Sequence, residues 1–126
     1  MMSYLSVKHL SHKMMLLQAV ASLAFMLAGT TAAHGETAYT TNETDGTVTV
    51  IDLSSYTAIA TINVGAQPFG VTANPAGTRV YVSNFGDDTV TVINALNNTV
   101  ITTVAVGDGP RGVCFNSSGN RVIVAN

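Results

Sequence analysis

The sequence predicts an all-β fold built from four-stranded antiparallel repeats that stack on one another. One phrase is written almost twice, as YTTNETDGTVTVID at residues 39–52 and as YVSNFGDDTVTVIN at residues 81–94. Sliding the 126-residue chain by 42 positions matches 20 of 42 residues without a gap, which indicates an internal repeat. Within each copy, short runs of β-branched residues alternate with turn residues, as is typical of strands.

The first 35 residues differ from the rest and predict a signal peptide. Lys8 and Lys13 precede an apolar run at 14–29, and small residues around Ala33 and Gly35 follow it where cleavage is expected. The run is shorter than the roughly 20 residues that a membrane-spanning helix needs. We therefore expect an exported protein, periplasmic, secreted or on the cell surface, with no stable membrane span after cleavage. An uncleaved N-terminal anchor is the alternative.

The second copy shows how four strands fit into one repeat. Its strands are predicted as GVTAN (70–74), RVYVSN (79–84), TVTVIN (89–94) and TVITTVAV (99–106). The first turn is PAGT, in which Pro75 has a preset φ and Gly77 accepts a positive φ. Because all the connections are short, the repeat is expected to be an antiparallel meander.

The length and the patterning of the repeat favour a β-propeller over a β-solenoid. Both faces of TVTVI, at 47–51 and again at 89–93, are free of charge, as expected for a sheet between two neighbouring sheets. Solenoid coils usually repeat at about half this length, whereas about 40–45 residues is the length of a four-stranded propeller blade. We predict a partial propeller at residues 36–126, with repeats at about 39–80 and 81–122 and a third copy that begins at 123.

The segments YVSN, DDTVTVIN, NTVITTVAVGDGPRGV and NSSGNRVIVAN resemble the YVTN-type β-propeller repeat. The resemblance extends over residues 38–126 and departs from the family pattern at YTTN (39–42) and at NSSG (116–119), where a Pro-Asp-Gly turn is usual. It implies exported or surface-layer-like proteins, often with seven blades, and relatives that include lactonase-like propellers. The matching residues belong to the blade scaffold, so the resemblance specifies a fold and not an activity.

The number of copies is lower than a closed propeller requires. After the predicted signal peptide the strands number three, four and two, whereas a propeller needs at least four blades. An open stack of blades leaves apolar faces in water. Three expectations follow: a fragment of a longer propeller, a short chain that self-assembles to complete one, or a product that does not fold.

The composition excludes several classes of function. Residues 36–126 contain three arginines, no lysine and seven carboxylates, a net charge of −4, so no nucleic-acid binding is expected. The same residues contain no histidine, which removes Ser-His-Asp and Cys-His arrangements. No cofactor or metal is expected, because neither a set of zinc ligands nor a phosphate loop is present. Cys114 lies in an apolar run and is expected to be buried and inert.

The loops that follow the second and fourth strands of each repeat are expected to emerge at one end of the blades. Propellers commonly bind ligands at such an end, because loops from every blade meet there. The candidates for contact with a ligand or partner are Gln67, Phe69, Asp108 and Arg111. Phe69 and Arg111 occupy the same repeat position with different side chains. Asp45 and Asp87 recur, and are expected to close Asx turns.

From the sequence we predict a non-enzymatic protein that acts as a binding or surface interaction platform for an unknown protein or small molecule. The alternative is part of a larger propeller enzyme, such as a lactonase-like hydrolase, with its catalytic residues in other blades. A third hypothesis is that the blades form a scaffold within a surface layer and bind no ligand.

Overall fold

The computed structural model describes Phe25–Ala28 and residues 36–126, which form three antiparallel sheets without a helix. The strands are β1 (Phe25–Ala28), β2 (Thr37–Asn42), β3 (Thr47–Asp52), β4 (Thr57–Asn63), β5 (Pro68–Ala73), β6 (Arg79–Asn84), β7 (Thr89–Asn94), β8 (Thr99–Ala105), β9 (Gly112–Phe115) and β10 (Val122–Ala125). The strand orders are β1-β2-β3-β4, β5-β6-β7-β8 and β9-β10. Each sheet is a meander of consecutive strands, and the prediction of antiparallel blades is confirmed.

The first sheet contains one strand more than the sequence-based count. Strand β1 pairs with β2, from Phe25 opposite Thr40 to Ala28 opposite Thr37. The count of three began after the predicted signal peptide, and β1 lies within that segment. The remainder of residues 1–35 lies outside the described residues, so the signal peptide and its cleavage stay predictions. Within residues 25–28 and 36–126, no helix is long and apolar enough to cross a membrane.

The two complete blades share the same internal irregularity. The register between β3 and β4 shifts at Val50/Ile51, and that between β7 and β8 shifts at Val92/Ile93, which are the same repeat positions. A bulge of this kind bends the strand and increases its twist. The repeat in sequence is therefore also a repeat in backbone shape.

The core lies between the first two blades. Tyr39, Val48 and Val50 from the first blade pack with Val80 and Val82 from the second, and none of the five is more than 1% exposed. Each fully buried valine contributes about 1.5–3 kcal/mol relative to an exposed one. Because these contacts cross from one sheet to the next, each blade is stabilised by its neighbour, as predicted for stacked repeats.

The third sheet, which has two strands, stacks on the second. The rings of Tyr81 and Phe115 meet edge to face, with centroids 5.3 Å apart and planes at 81°. Beyond this contact, apolar side chains of the described region stay in water, among them Val104, which is 50% exposed, and Ile123, which is 53% exposed. The described blades therefore present an uncovered apolar surface on the side of the third sheet.

Cys114 is exposed, so the expectation of a buried thiol is wrong. The side chain of Val113 approaches Gly70, and Phe115 contacts Tyr81, so these two neighbours of Cys114 face the second blade. Side chains alternate along a strand, which turns Cys114 to the opposite face. Its repeat counterpart Thr72 is only 6% exposed because that blade is covered on both faces.

A buried asparagine explains the recurring Thr-x-Thr pattern. Asn84 Nδ2 donates to the hydroxyls of Thr89 and Thr91, each at 2.9 Å, and the Asn84 side chain is fully buried. In the first blade Asn42 Nδ2 donates to its own two threonines, also at 2.9 Å. These bonds connect the end of one strand to the beginning of the next. The repeated residues thus form the scaffold of each blade.

Candidate functional site

Four connections come together at one end of the blades, which we call the link end. They are residues 43–46, 64–67, 85–88 and 106–111, and the other connections, 53–56, 74–78, 95–98 and 116–121, lie at the opposite end. The grouping follows from antiparallel pairing, because Asn84 lies opposite Pro68 on one side and opposite Thr89 on the other. This is the end at which the sequence predicts contact with a ligand or partner.

Backbone hydrogen bonds join the loops of the link end into one surface. Phe85 N donates to Gln67 O at 2.9 Å, and Gly86 N donates to Ala66 O at 3.0 Å. Val106 N donates to Asp88 O at 2.9 Å, so the loop at 85–88 is bonded to the links on both sides of it. The side chains of this end are therefore carried by a connected backbone.

Two adjacent carboxylates strengthen the same connections. Asp87 Oδ2 accepts a hydrogen bond from Ala66 N at 2.6 Å, and Asp88 Oδ1 accepts one from Gly109 N at 2.7 Å. Charge-assisted hydrogen bonds of this length are stronger than neutral ones. The Asx turn expected for Asp87 is wrong, because its carboxylate bonds to the preceding link, 21 residues away, which the fold brings beside it.

The repeat also fixes the backbone of two candidate residues. Thr41 Oγ1 donates to the carbonyl of Phe69 at 3.1 Å, and Ser83 Oγ donates to the carbonyl of Arg111 at 2.8 Å. Thr41 and Ser83 occupy equivalent positions in successive blades, so each hydroxyl holds the first residues of the next inner strand. The two carbonyls are held in the same way while the side chains of Phe69 and Arg111 differ.

The side chain of Arg111 lies over two aromatic rings. Its guanidinium carbon is 4.9 Å from the ring centroid of Phe85 and 5.5 Å from that of Phe69. We call these three residues the arginine–phenylalanine cluster. Each exposed cation–π contact contributes about 0.5–1 kcal/mol. Among the described residues, no carboxylate forms an ion pair with this guanidinium, and no acceptor takes its side-chain N–H groups.

Gln67 lies beside the cluster in a strained conformation. Its φ is +50°, in the left-handed region that favours glycine, and its repeat counterpart Gly109 has a φ of +61°. Gln67 lines an open depression of ≈ 590 Å³ together with residues 43–46 and Ala66. A non-glycine residue held in this region is a feature that recurs at functional sites.

The structure brings together only part of the predicted site. Phe69 and Arg111 meet in the cluster and Gln67 lies in the neighbouring depression, whereas Asp108 is exposed and its carboxylate has no partner among the described residues. Phe85 was missed, although it stands where the other copy has Glu43. The comparison of repeat positions that selected Phe69 and Arg111 applies to Phe85 as well. The part of the chain that the structure describes contains no group of three metal-ligating side chains.

Comparison with solved structures finds the same fold in longer proteins. Hydrazine synthase of Kuenenia stuttgartiensis matches with a TM-score of 0.71 at 23% identity, over 98% of this chain and 32% of that one. A functionally unknown protein from Desulfotomaculum acetoxidans DSM 771 matches with a TM-score of 0.66 at 19% identity, over 81% of this chain and 35% of that one. Dihydro-heme d1 dehydrogenase NirN in complex with DHE matches with a TM-score of 0.66 at 18% identity, over 82% of this chain and 23% of that one. The chain thus spans about a third or less of the length of these proteins.

No curated protein sequence matches the chain. A family model does: the family described as "Lactonase, 7-bladed beta-propeller" matches residues 28–126. This match covers strands β2 to β10 and the last residue of β1, in agreement with the repeat and with the stacked sheets. The chain belongs to the lactonase family of seven-bladed β-propellers.

Proposed function

We propose that this chain is an exported propeller module of the YVTN type that binds a ligand or partner at its link end and performs no chemistry itself. The observation that carries the proposal is the arginine–phenylalanine cluster, in which an arginine without an acidic partner lies on two aromatic rings at an exposed surface. Arginine and aromatic side chains, phenylalanine included, are enriched at the centres of protein interaction surfaces.

The scaffold around the cluster supports the proposal. Thr41 and Ser83 hold the carbonyls of Phe69 and Arg111 by equivalent hydrogen bonds, so the side chains vary on a constant backbone. Binding sites are commonly built in this way, with variable side chains on loops that a rigid scaffold positions. The left-handed conformation of Gln67 next to the cluster adds a strained residue to the same surface.

The test is a map of where small molecules bind. The full chain, labelled with ¹⁵N, is titrated with a set of neutral, anionic and cationic fragments, and amide shifts are recorded. We expect the shifts to concentrate in 64–69, 85–88 and 106–112. Shifts confined to the opposite-end turns at 74–78 and 116–121, or the absence of any localised shift, would refute binding at the link end.

A second candidate is a role in a lactonase-like hydrolase, and the family match to residues 28–126 favours it. In that case this chain contributes blades to a catalytic propeller whose acid-base residues lie in other blades. The two candidates are separated by hydrolysis of simple lactones, followed at constant pH, with the full chain alone and with any protein that copurifies with it. Turnover above the uncatalysed rate supports the hydrolase, and fragment binding without turnover supports the binding module.

We further propose that the uncovered apolar surface is occupied by additional blades, either from further sequence or from other copies of this chain. Val104 and Ile123 are about half exposed in the described blades, and self-assembly covers such a surface. Light scattering after size-exclusion chromatography tests self-assembly, for which a defined trimer or tetramer is expected. Export is tested by the mass of the protein in the periplasmic or culture fraction, which should lack about the first 35 residues and, with them, strand β1 of the first blade.

A further inference from the structure

We propose that Arg111 is the anion-binding group of the link end, and that it takes the carboxylate of a small apolar monocarboxylic acid. This inference rests on the proposed binding role of the link end and adds the chemical class of the ligand. It is carried by the free side-chain donors of Arg111, by the two rings beneath them and by the acidic surroundings.

The side chain of Arg111 has free hydrogen-bonding capacity. A guanidinium carries five N–H donors in a planar fork, which matches the two oxygens of a carboxylate. The backbone of Arg111 is engaged, since its N–H donates to Ala125 O at 2.9 Å and its carbonyl accepts from Ser83 Oγ at 2.8 Å. Its guanidinium has no hydrogen bond or ion pair with any residue that the structure describes.

The two phenylalanine rings hold the guanidinium of Arg111 in position. Phe69 and Phe85 lie 5.5 and 4.9 Å from the guanidinium carbon, within the range of cation–π attraction. A side chain that is already ordered loses less conformational entropy when a ligand binds. Phe69 is 37% exposed, so its ring also offers apolar surface to the hydrocarbon part of a ligand.

The charge around the cluster is mostly negative. The link end carries five carboxylates and one cation: Glu43, Asp45, Asp87, Asp88, Asp108 and Arg111. Asp87 and Asp88 accept hydrogen bonds from the amides of Ala66 and Gly109, so their carboxylates lie against the link residues. Attraction to Arg111 and repulsion from the carboxylates both double for a dianion such as a phosphate monoester, but the cost of removing an ion from water grows with the square of its charge, so it rises about fourfold. The site therefore favours a carboxylate over a phosphate.

The test compares three probes of similar shape on the full chain: benzoate, neutral benzamide and dianionic phenyl phosphate. Dissociation constants are measured by ligand-observed NMR at low ionic strength, with ¹⁵N amide shifts to locate each probe. We expect benzoate to bind at the cluster, benzamide to bind about tenfold or more weakly because it lacks the charge, and phenyl phosphate to bind more weakly than benzoate.

The matched variants are Arg111→Gln, Arg111→Lys and, at the opposite end, Arg79→Gln. Arg111→Gln should weaken benzoate about tenfold or more and Arg111→Lys by a smaller factor, while Arg79→Gln should have no effect. Amide spectra are recorded for each variant to check that it stays folded. Equal binding of benzoate and benzamide at the link end, tighter binding of phenyl phosphate, or equal losses in Arg111→Gln and Arg79→Gln would overturn the carboxylate assignment and leave the binding role intact. If no fragment of any charge shifts link-end amides, the proposed function itself fails.

Discussion

The two ends of the blades differ in what the substitutions between the repeat copies change. At the opposite end, Asn74 Oδ1 accepts from the amides of residues 78 and 79, each at 2.8 Å, and Asn116 Oδ1 accepts from those of residues 120 and 121, each at 3.0 Å. Pro75 and Thr78 become Ser117 and Asn120 in the next copy, yet the hydrogen bonds are the same. At this end the substitutions preserve the structure of the turn.

At the link end the substitutions change the chemistry. Glu43 is replaced by Phe85 in the next copy, Phe69 by Arg111, and Gln67 by Gly109. The backbone there is nevertheless as repetitive as at the other end, because Val64 N donates to Gly46 O and Val106 N donates to Asp88 O, both at 2.9 Å. Scaffold and proposed site are thus separated within one repeat: recurring positions build the blade, and the positions that differ at the link end form the surface proposed for binding.

The largest loss of stability is expected at Val50 and Val92, which occupy the same repeat position and should have the same structural role. Val50→Asp and Val92→Asp each place a charge on a buried position, 0% and 6% exposed, between sheets. An unpaired buried charge costs about 4 kcal/mol or more, which is most of the stability of a small domain. Both variants should lose β-sheet circular dichroism and solubility. If either stays as soluble and β-rich as the parent chain, the two valines do not share a scaffold role.

A second test compares Gly70 and Gly112, which occupy the same repeat position in different surroundings. An added Cβ at Gly70 would meet the carbonyl oxygen of Arg111 in contact too short to be tolerated, whereas at Gly112 its nearest neighbour is Ala125 Cβ at 3.5 Å. Gly70→Ala should therefore destabilise by about 1–3 kcal/mol through overpacking, and Gly112→Ala should stay within about 0.5 kcal/mol of the parent. Urea unfolding of the three chains measures the difference. Equal losses would mean that Gly112 is covered in solution by a further blade or copy.

A third test addresses the connection between the loops of the link end. Asp87→Ala removes the acceptor for Ala66 N and should cost about 1 kcal/mol, since a charge-assisted bond at an exposed site is partly replaced by water. Asp108→Ala is the matched control, because that exposed carboxylate has no partner among the described residues. Hydrogen exchange at the amide of Ala66 should accelerate in Asp87→Ala only. Unchanged exchange there would remove the assigned role of Asp87.

The scaffold was predictable from the sequence because its signals are local. The period of 42 residues, the alternation of Val and Thr, and the turn residues each report on a strand or on its end. The contacts of the link end were harder to predict from the sequence, because they depend on residues that only the fold brings together. The partner of Asp87 is 21 residues away, and the exposure of Cys114 depends on whether a blade covers that face. Strand β1 was missed because four apolar residues in Phe25–Ala28 suit an export signal equally well.

The smallest expected effect concerns Gln67, which tests whether the link end gives up stability for binding. Gln67→Gly relieves a left-handed conformation that costs a non-glycine residue about 1–2 kcal/mol, but the added freedom of the unfolded chain offsets about half of that gain. A net increase of about 0.5 kcal/mol is expected, a rise in Tm of a few degrees at most. Tyr56, with a φ of +55° at the opposite end, is the matched control, and Tyr56→Gly should gain about the same stability. If strain at the link end serves binding, Gln67→Gly alone should weaken the binding of fragments in the neighbouring depression. If both variants gain stability and neither changes fragment binding, the strain at Gln67 is only a consequence of the repeat's backbone, which demands a positive φ at that position in every blade.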